Sequence, residues 1–317
     1  MPEPGKYGRR PPKRTRALQL KDYLTGTLPA VPAAADYLAA LHGGWQMLGN
    51  DQAGDCVAVT WANVRRLVTT TLKPPGSYPG QEEVWAVYKT QNPGFDPSGT
   101  AATDGPGSPS DQGMDIQTLL ELLVTEGGPD GAKALAFAQV NPKDPAEVKA
   151  AIALFGYVWT GIRVLSVNEQ EFAAGQPWQY SASSPVVGGH SVVTGGYGPP
   201  GGGSLNGDER FITWAQETSF TDQFWANCVD EAWVVLWPEH LGSAEFLEGV
   251  DLAALASAYT AITGRPFPTT PPAPPAPSPE PPPAPEPVPP TPQPTPNMFQ
   301  QLIAELEKLI AMIRGWL

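Results

Sequence analysis

The chain has 317 residues and a formal net charge of −13, and an acidity of that size argues against nucleic acid as its main ligand. Two cysteines, Cys56 and Cys228, exclude a disulfide framework. No segment reaches the ~18 uncharged apolar residues expected of a membrane-spanning helix.

The charge is unevenly spread. Residues 1–16 carry Lys6, Arg9, Arg10, Lys13, Arg14 and Arg16 against Glu3 alone. This basic arm, 6–16, suits contact with nucleic acid or an acidic protein surface, or equally a disordered solubilising tail. No apolar run follows it, so no signal peptide is expected, and the chain is expected to be cytoplasmic when made. One Cys56–Cys228 bridge stays open as an alternative, but nothing requires an oxidising compartment.

After the arm, "AAADYLAALHGGW" reads as a short helix stopped by Gly43 and Gly44. In "LGNDQAGDCVAVTWANVRR", turn and cap residues give way at Cys56 to an amphipathic helix with Val57, Trp61, Val64, Leu67 and Val68 on one face. "QEEVWAVYKTQN" is a further helix, and residues 92–113 lack any apolar period, which predicts a long loop. "MDIQTLLELLVTEGG" is helical by the stripe Ile116, Leu119, Leu120, Leu123 and Val124. The period then changes. "ALAFAQV" and "GYVWTGIRV" read as strands around "DPAEVKAAIALF", a helix with Asp144 as N-cap and Pro145 at its first position. "GGHSVVTGGYG", "RFITWAQE" and "EAWVVLW" are also strand-like. Helices first and an antiparallel sheet second predict an α+β body in two facing lobes.

Between Pro266 and Pro296, 18 of 31 positions are proline, so this stretch forms no core and is expected to be an extended stalk. It leads to "NMFQQLIAELEKLIAMIRGWL", a helix capped by Asn297. Phe299, Leu306 and Ile313 occupy heptad position a, and Leu302, Leu309 and Trp316 position d. Apolar residues at e widen the seam, which predicts a homo-oligomer, trimer or larger, or docking to a larger particle. The expected organisation is therefore a basic arm and lead-in over 1–36, a folded domain over 37–262, a proline-rich linker over 263–296 and an oligomerisation or docking helix over 297–317.

A cysteine at a helix N-terminus is either a buried structural thiol or a nucleophile whose ionisation the helix end favours. Among three histidines, His190 alone stands at the start of a strand, behind two glycines that permit close approach. Cysteine followed far downstream by a strand histidine is the order of a papain-type dyad. No metal and no cofactor are implied, because no two His or Cys lie at ligand spacing. "GYGPPGGG" lacks the Lys-Ser/Thr and the helix of a phosphate loop. Asp111 and Asp115 read as loop solvation and a helix start rather than an acid/base pair.

Several blocks in order resemble papain-like cysteine peptidases: "GDCVAVTWA", "QGMDIQTLLELLVTEGG", "VNPKDPAEVKAAIALFGYVWTGIRV", "GGHSVVTGGYG" and "RFITWAQETSF". "GNDQAGDC" with "GGHSV" and "TWA" is similar to a poorly characterised branch found in bacteria and their phages, notably actinobacterial ones. The resemblance implies Cys56 as nucleophile and His190 as base. It implies Gln216 as the residue orienting the imidazole, and Asn50, with Gln52 as fallback, as oxyanion donor. The usual nucleophile flanks are replaced by Gly54-Asp55 and Val57-Ala58, and Thr218 stands where a shielding tryptophan is expected. The implied function is a cysteine peptidase or amidase domain acting on peptide bonds and tethered to a multimeric assembly. The alternative is a non-enzymatic virion decoration protein, displaying an inactive papain-like head on a stalk.

Overall fold

The computed structural model describes residues 3–13, 17–25, 31–41, 44–198, 209–263 and 266–267. The expected stalk from residue 268 onward, the helix over 297–317, and with it Phe299, Leu302, Leu306, Leu309, Ile313 and Trp316, lie outside the described residues. In chain order the elements are β1 (Ala35–Asp36), α1 (Cys56–Leu72), α2 (Gln81–Lys89), α3 (Ile116–Thr125), β2 (Ala136–Val140), α4 (Pro145–Phe155), β3 (Val158–Leu165), α5 (Ser166–Ala173), β4 (Val186–Tyr197), β5 (Glu209–Thr213), β6 (Gln216–Phe220), α6 (Asp222–Cys228), β7 (Val229–Leu236), α7 (Ala244–Gly249) and α8 (Leu252–Thr263). This is an α+β fold. A helical lobe built on α1–α3 faces an antiparallel sheet of order β2-β7-β3-β4-β5-β6, with β1 beside β4.

Local chemistry sets the element ends. Asp115 caps α3 by accepting from the Thr118 N–H at 2.8 Å. Asp144 accepts from the N–H groups of Ala146 and Glu147 ahead of Pro145, and left-handed Gly156 stops α4. α1 is buried along most of its length, with Trp61 fully enclosed, so it is a core helix rather than a surface one. Its N-terminus is thereby fixed between the lobes. No helix among the described residues is long and apolar enough to cross a membrane.

Two local expectations are corrected. The predicted helix over 33–45 is instead a strand pair and a single 3-10 turn at Ala39–Leu41. Ala35 and Asp36 pair with Tyr197 and Gly196 of β4, while the Asp36 carboxylate binds Arg210 and the Leu38 and Ala39 N–H groups, so pairing overrides helix propensity. "RFITWAQE" is not one strand but the two arms of a hairpin, because Trp214 and Ala215 both adopt left-handed backbone (φ 44° and 60°). Such conformations cost L-residues roughly 1–2 kcal/mol each. The Trp214 indole offsets this by packing against Tyr7, Phe172, Trp178 and His190. The Ala215 methyl has no ring with which to make such contacts. Ala215→Gly is therefore expected to stabilise the domain by about 1 kcal/mol in urea denaturation, with an unchanged m-value.

Candidate active site

Cys56 is the first residue of α1 and 1% exposed. Burial pushes its thiol pKa up to about 12, against the lowering pull of the Ser191 and Gly8 backbone N–H groups. Asp55, the N-cap, adds to the rise. It makes no side-chain cap bond. Burial holds its pKa well above the usual carboxylate range. Cys56 and Cys228 are both free and buried, so no bridge joins them.

His190 lies on β4, the strand packed against α1, immediately before Ser191, whose backbone N–H lowers the Cys56 pKa. It is 1% exposed. Nε2 stands 2.7 Å from Thr213 Oγ1, and Nδ1 has no hydrogen-bond partner. The Trp214 ring covers it at 5.0 Å between centroids. Burial first, then the charge of Arg9, depresses its pKa to about 3. With the thiol pKa far above that of the imidazole, the two rest as neutral groups, not as a thiolate–imidazolium pair.

Gln216, expected behind His190, is instead exposed at the start of β6, paired with Thr213 across the hairpin. The two left-handed residues reverse the chain before it, so Thr213, three positions earlier, takes the place on Nε2. Asn50 is 2% exposed, and its amide donates to the carbonyls of Lys6 (3.1 Å) and Ala53 (3.2 Å). Gln52 is exposed in the turn before α1. Asp111 organises the long loop, accepting from the Gly54 and Gly107 N–H groups and from the Tyr88 hydroxyl. Asp115 is the α3 cap, so the two acids occupy separate structural posts.

Sequence reasoning missed what covers the site. Residues 5–10 run across the thiol as a strap bonded to both lobes. Lys6 N–H donates to Asn50 O (2.6 Å), and Gly8 and Arg9 N–H donate to Gly189 O (3.2 and 3.0 Å). Met114 N–H donates to Gly8 O (2.7 Å) and Arg10 N–H to Met114 O (2.8 Å), a parallel bridge. Tyr7 sits edge-on to His190 with its hydroxyl on Glu169. Arg9 is 6% exposed, with its guanidinium on Asp230 (2.7 Å), Glu231 (2.9 Å) and the Ile162 carbonyl (3.0 Å). The acidic surface met by this part of the basic arm is thus on the same chain. The strap is tightly seated: a methyl on Gly8 would lie 1.7 Å from the Gly54 carbonyl oxygen. The available signal was a charge at the start of an otherwise apolar strand, the "DE" before "AWVVLW", which demands a buried cation.

No family model and no curated protein sequence matches the chain. Among solved structures it resembles xylellain, a cysteine protease from Xylella fastidiosa. The two share 15% identity and a TM-score of 0.54 over 74% of this chain and 97% of that one. It also resembles procathepsin B S9 from Trypanosoma congolense at 10% identity and a TM-score of 0.50, over 73% and 86% of the two chains. The fold is papain-like.

Proposed function

We propose that the chain is a papain-like cysteine peptidase or amidase head, shut by its own residues 5–10 and tethered through residues 297–317 to a multimeric assembly such as a phage particle. The observation that supports this reading is that Cys56 starts a helix packed against β4, the strand that carries His190, whose Nε2 is engaged by Thr213 while Nδ1 has no hydrogen-bond partner. Thr213 is a positioning residue. Its hydroxyl holds the ring so that Nδ1 can take the thiol proton. The sulfur then attacks the carbonyl carbon of a peptide or amide bond, the oxyanion meets the Asn50 amide, and His190 returns the proton to the departing amine. Water hydrolyses the thioester by the same route in reverse. The Asn50 amide already binds a peptide carbonyl, that of Lys6, which supports its assignment as the donor. Gln52 and Gln216, both exposed, have no role in this scheme.

A non-enzymatic decoration head is favoured by one observation: with the strap seated, the thiol is sealed and its pKa stands near 12. A peptidyl acyloxymethyl ketone, a thiol-directed probe, separates the readings when applied to the full chain carrying Gly8→Ala, which opens the strap. Modification is expected at Cys56, with none in Cys56→Ala, and His190→Ala should slow it by about 100-fold. An inert Cys56 in the opened chain would leave only the display role. Tethering is tested by sedimentation of the full chain against one ending at Gly264. The full chain is expected to be trimeric or larger and the shortened one monomeric, and two monomers would rule out self-association.

A further inference from the structure

We propose that the pocket holding Arg9 is a substrate subsite for an arginine side chain, next to the bond that Cys56 attacks. This rests on the peptidase reading above. Its starting point is position. The Gly8 and Arg9 N–H groups both donate to the carbonyl of Gly189, the residue before His190, and the Arg9 side chain reaches Ile162, which pairs with His190 across the sheet, so Arg9 lies beside the candidate dyad along a peptide in the cleft. The strap lies in this cleft with its Gly8 carbonyl held by the Met114 N–H.

The acceptors are arranged for a guanidinium. Nη1 donates to Glu231 Oε1, while Nη2 donates to both Asp230 Oδ2 and the Ile162 carbonyl. One planar fork satisfies three acceptors in separate directions, which a lysine ammonium, a point charge on a flexible stem, matches poorly. Space has been cleared for the stem as well. A Cβ on Gly161 would lie 2.8 Å from Arg9 Cδ and 2.7 Å from Glu231 Oε1.

The pocket also outlasts the strap. Asp230 and Glu231 belong to β7, between β2 and β3, and Trp233 Nε1 fixes the second Glu231 oxygen at 2.9 Å. Burial raises the Glu231 pKa, and the charge of Asp115 adds to the rise while Arg9 opposes it. When Arg9 leaves, a buried carboxylate loses its counter-ion, and an incoming guanidinium restores the pairing. A strap and a substrate that compete for one pocket follow from this arrangement.

Binding is read without catalysis by thermal melting of the full chain carrying Arg9→Ala. Millimolar N-acetyl-argininamide should raise its Tm by about 3 °C. N-acetyl-leucinamide should not, and neither wild type nor Arg9→Ala/Glu231→Gln should respond to the arginine compound. Should Arg9→Ala fail to fold, Arg9→Lys takes its place, with a smaller arginine-specific shift expected because the ammonium still competes for the pocket. Substrate use is read in the Gly8→Ala chain with two acyloxymethyl ketone probes differing only in an arginine or a leucine at the position next to the reactive group. The arginine probe should label Cys56 at least ~10-fold faster, and Glu231→Gln should bring the two within about twofold. Equal melting shifts with both amides, or equal labelling by both probes, overturns the subsite. Labelling by neither probe, with the arginine-specific melting shift intact, overturns the peptidase reading and leaves a guanidinium-binding pocket.

Discussion

Gly8→Ala should raise the rate of Cys56 alkylation by a small neutral reagent about 100-fold, while Cys228, in the same chain, reacts as slowly as before. The methyl group meets the Gly54 carbonyl oxygen at 1.7 Å, a clash with backbone at the turn before α1 that no side-chain rotation relieves. The strap must lift. Its seating rests on main-chain bonds to Asn50, Gly189 and Met114, each contributing ~0.5–1.5 kcal/mol, and on the buried Arg9 pair. A net closure of about 3 kcal/mol leaves the thiol uncovered roughly 1% of the time. Abolishing it yields the stated factor. The three atoms nearest that methyl all belong to Gly54, and Cys228, whose own pKa is raised to about 11 by burial, serves as the internal control. Peptide mapping after timed alkylation reads both sites together. Equal Cys56 rates in the two chains would mean that the strap does not guard the thiol.

Asp55→Asn should stabilise the domain, increasingly so as the pH rises from 4. Asp55 is fully buried, and burial lifts its pKa in the fold against the opposing pull of the Asn50 amide. An unfolded aspartate ionises near pH ~3.9. Below that pH the carboxyl is neutral in both states, and the asparagine variant gains little. Above it the unfolded chain releases a proton that the folded chain retains, so wild-type stability falls by about 1.4 kcal/mol per pH unit until Asp55 ionises in the fold. Asparagine escapes this slope, so its advantage should grow with each pH step for as long as Asp55 stays protonated in the fold. Urea denaturation of both chains at pH 4, 5, 6 and 7 checks the sign and the slope. A difference that does not grow with pH would mean that Asp55 is ionised in the fold already at pH 4.

The helices and the sheet were legible where local rules and packing agree. The α3 stripe, the Asp144-Pro145 start of α4 and the onset of α1 at Cys56 are fixed by side chains within a turn or two. The short helices α5 and α6 escaped notice because each is only a few turns at most and is set by its neighbours. The hairpin at Trp214-Ala215 was hidden for a different reason. Left-handed turns announce themselves through glycine or asparagine, and here aromatic packing imposes one on a tryptophan and an alanine. That single reversal separates Thr213 from Gln216 as the partner of His190. The strap was the least visible element. "GKYGRR" has neither period nor apolar content, and its structure comes wholly from partners far away in the chain.

Arg9 is separated from Glu231 by 222 positions, and the site that receives it is assembled from β3 and β7. Closing so long a loop is unfavourable until the receiving surface exists, so during folding the strap docks only after those two strands have paired. Every molecule therefore passes through a stage with a formed sheet and an uncovered thiol. Refolding followed by pulse alkylation should catch Cys56 in that interval, after Trp159 and Trp233 are buried and before the cleft closes.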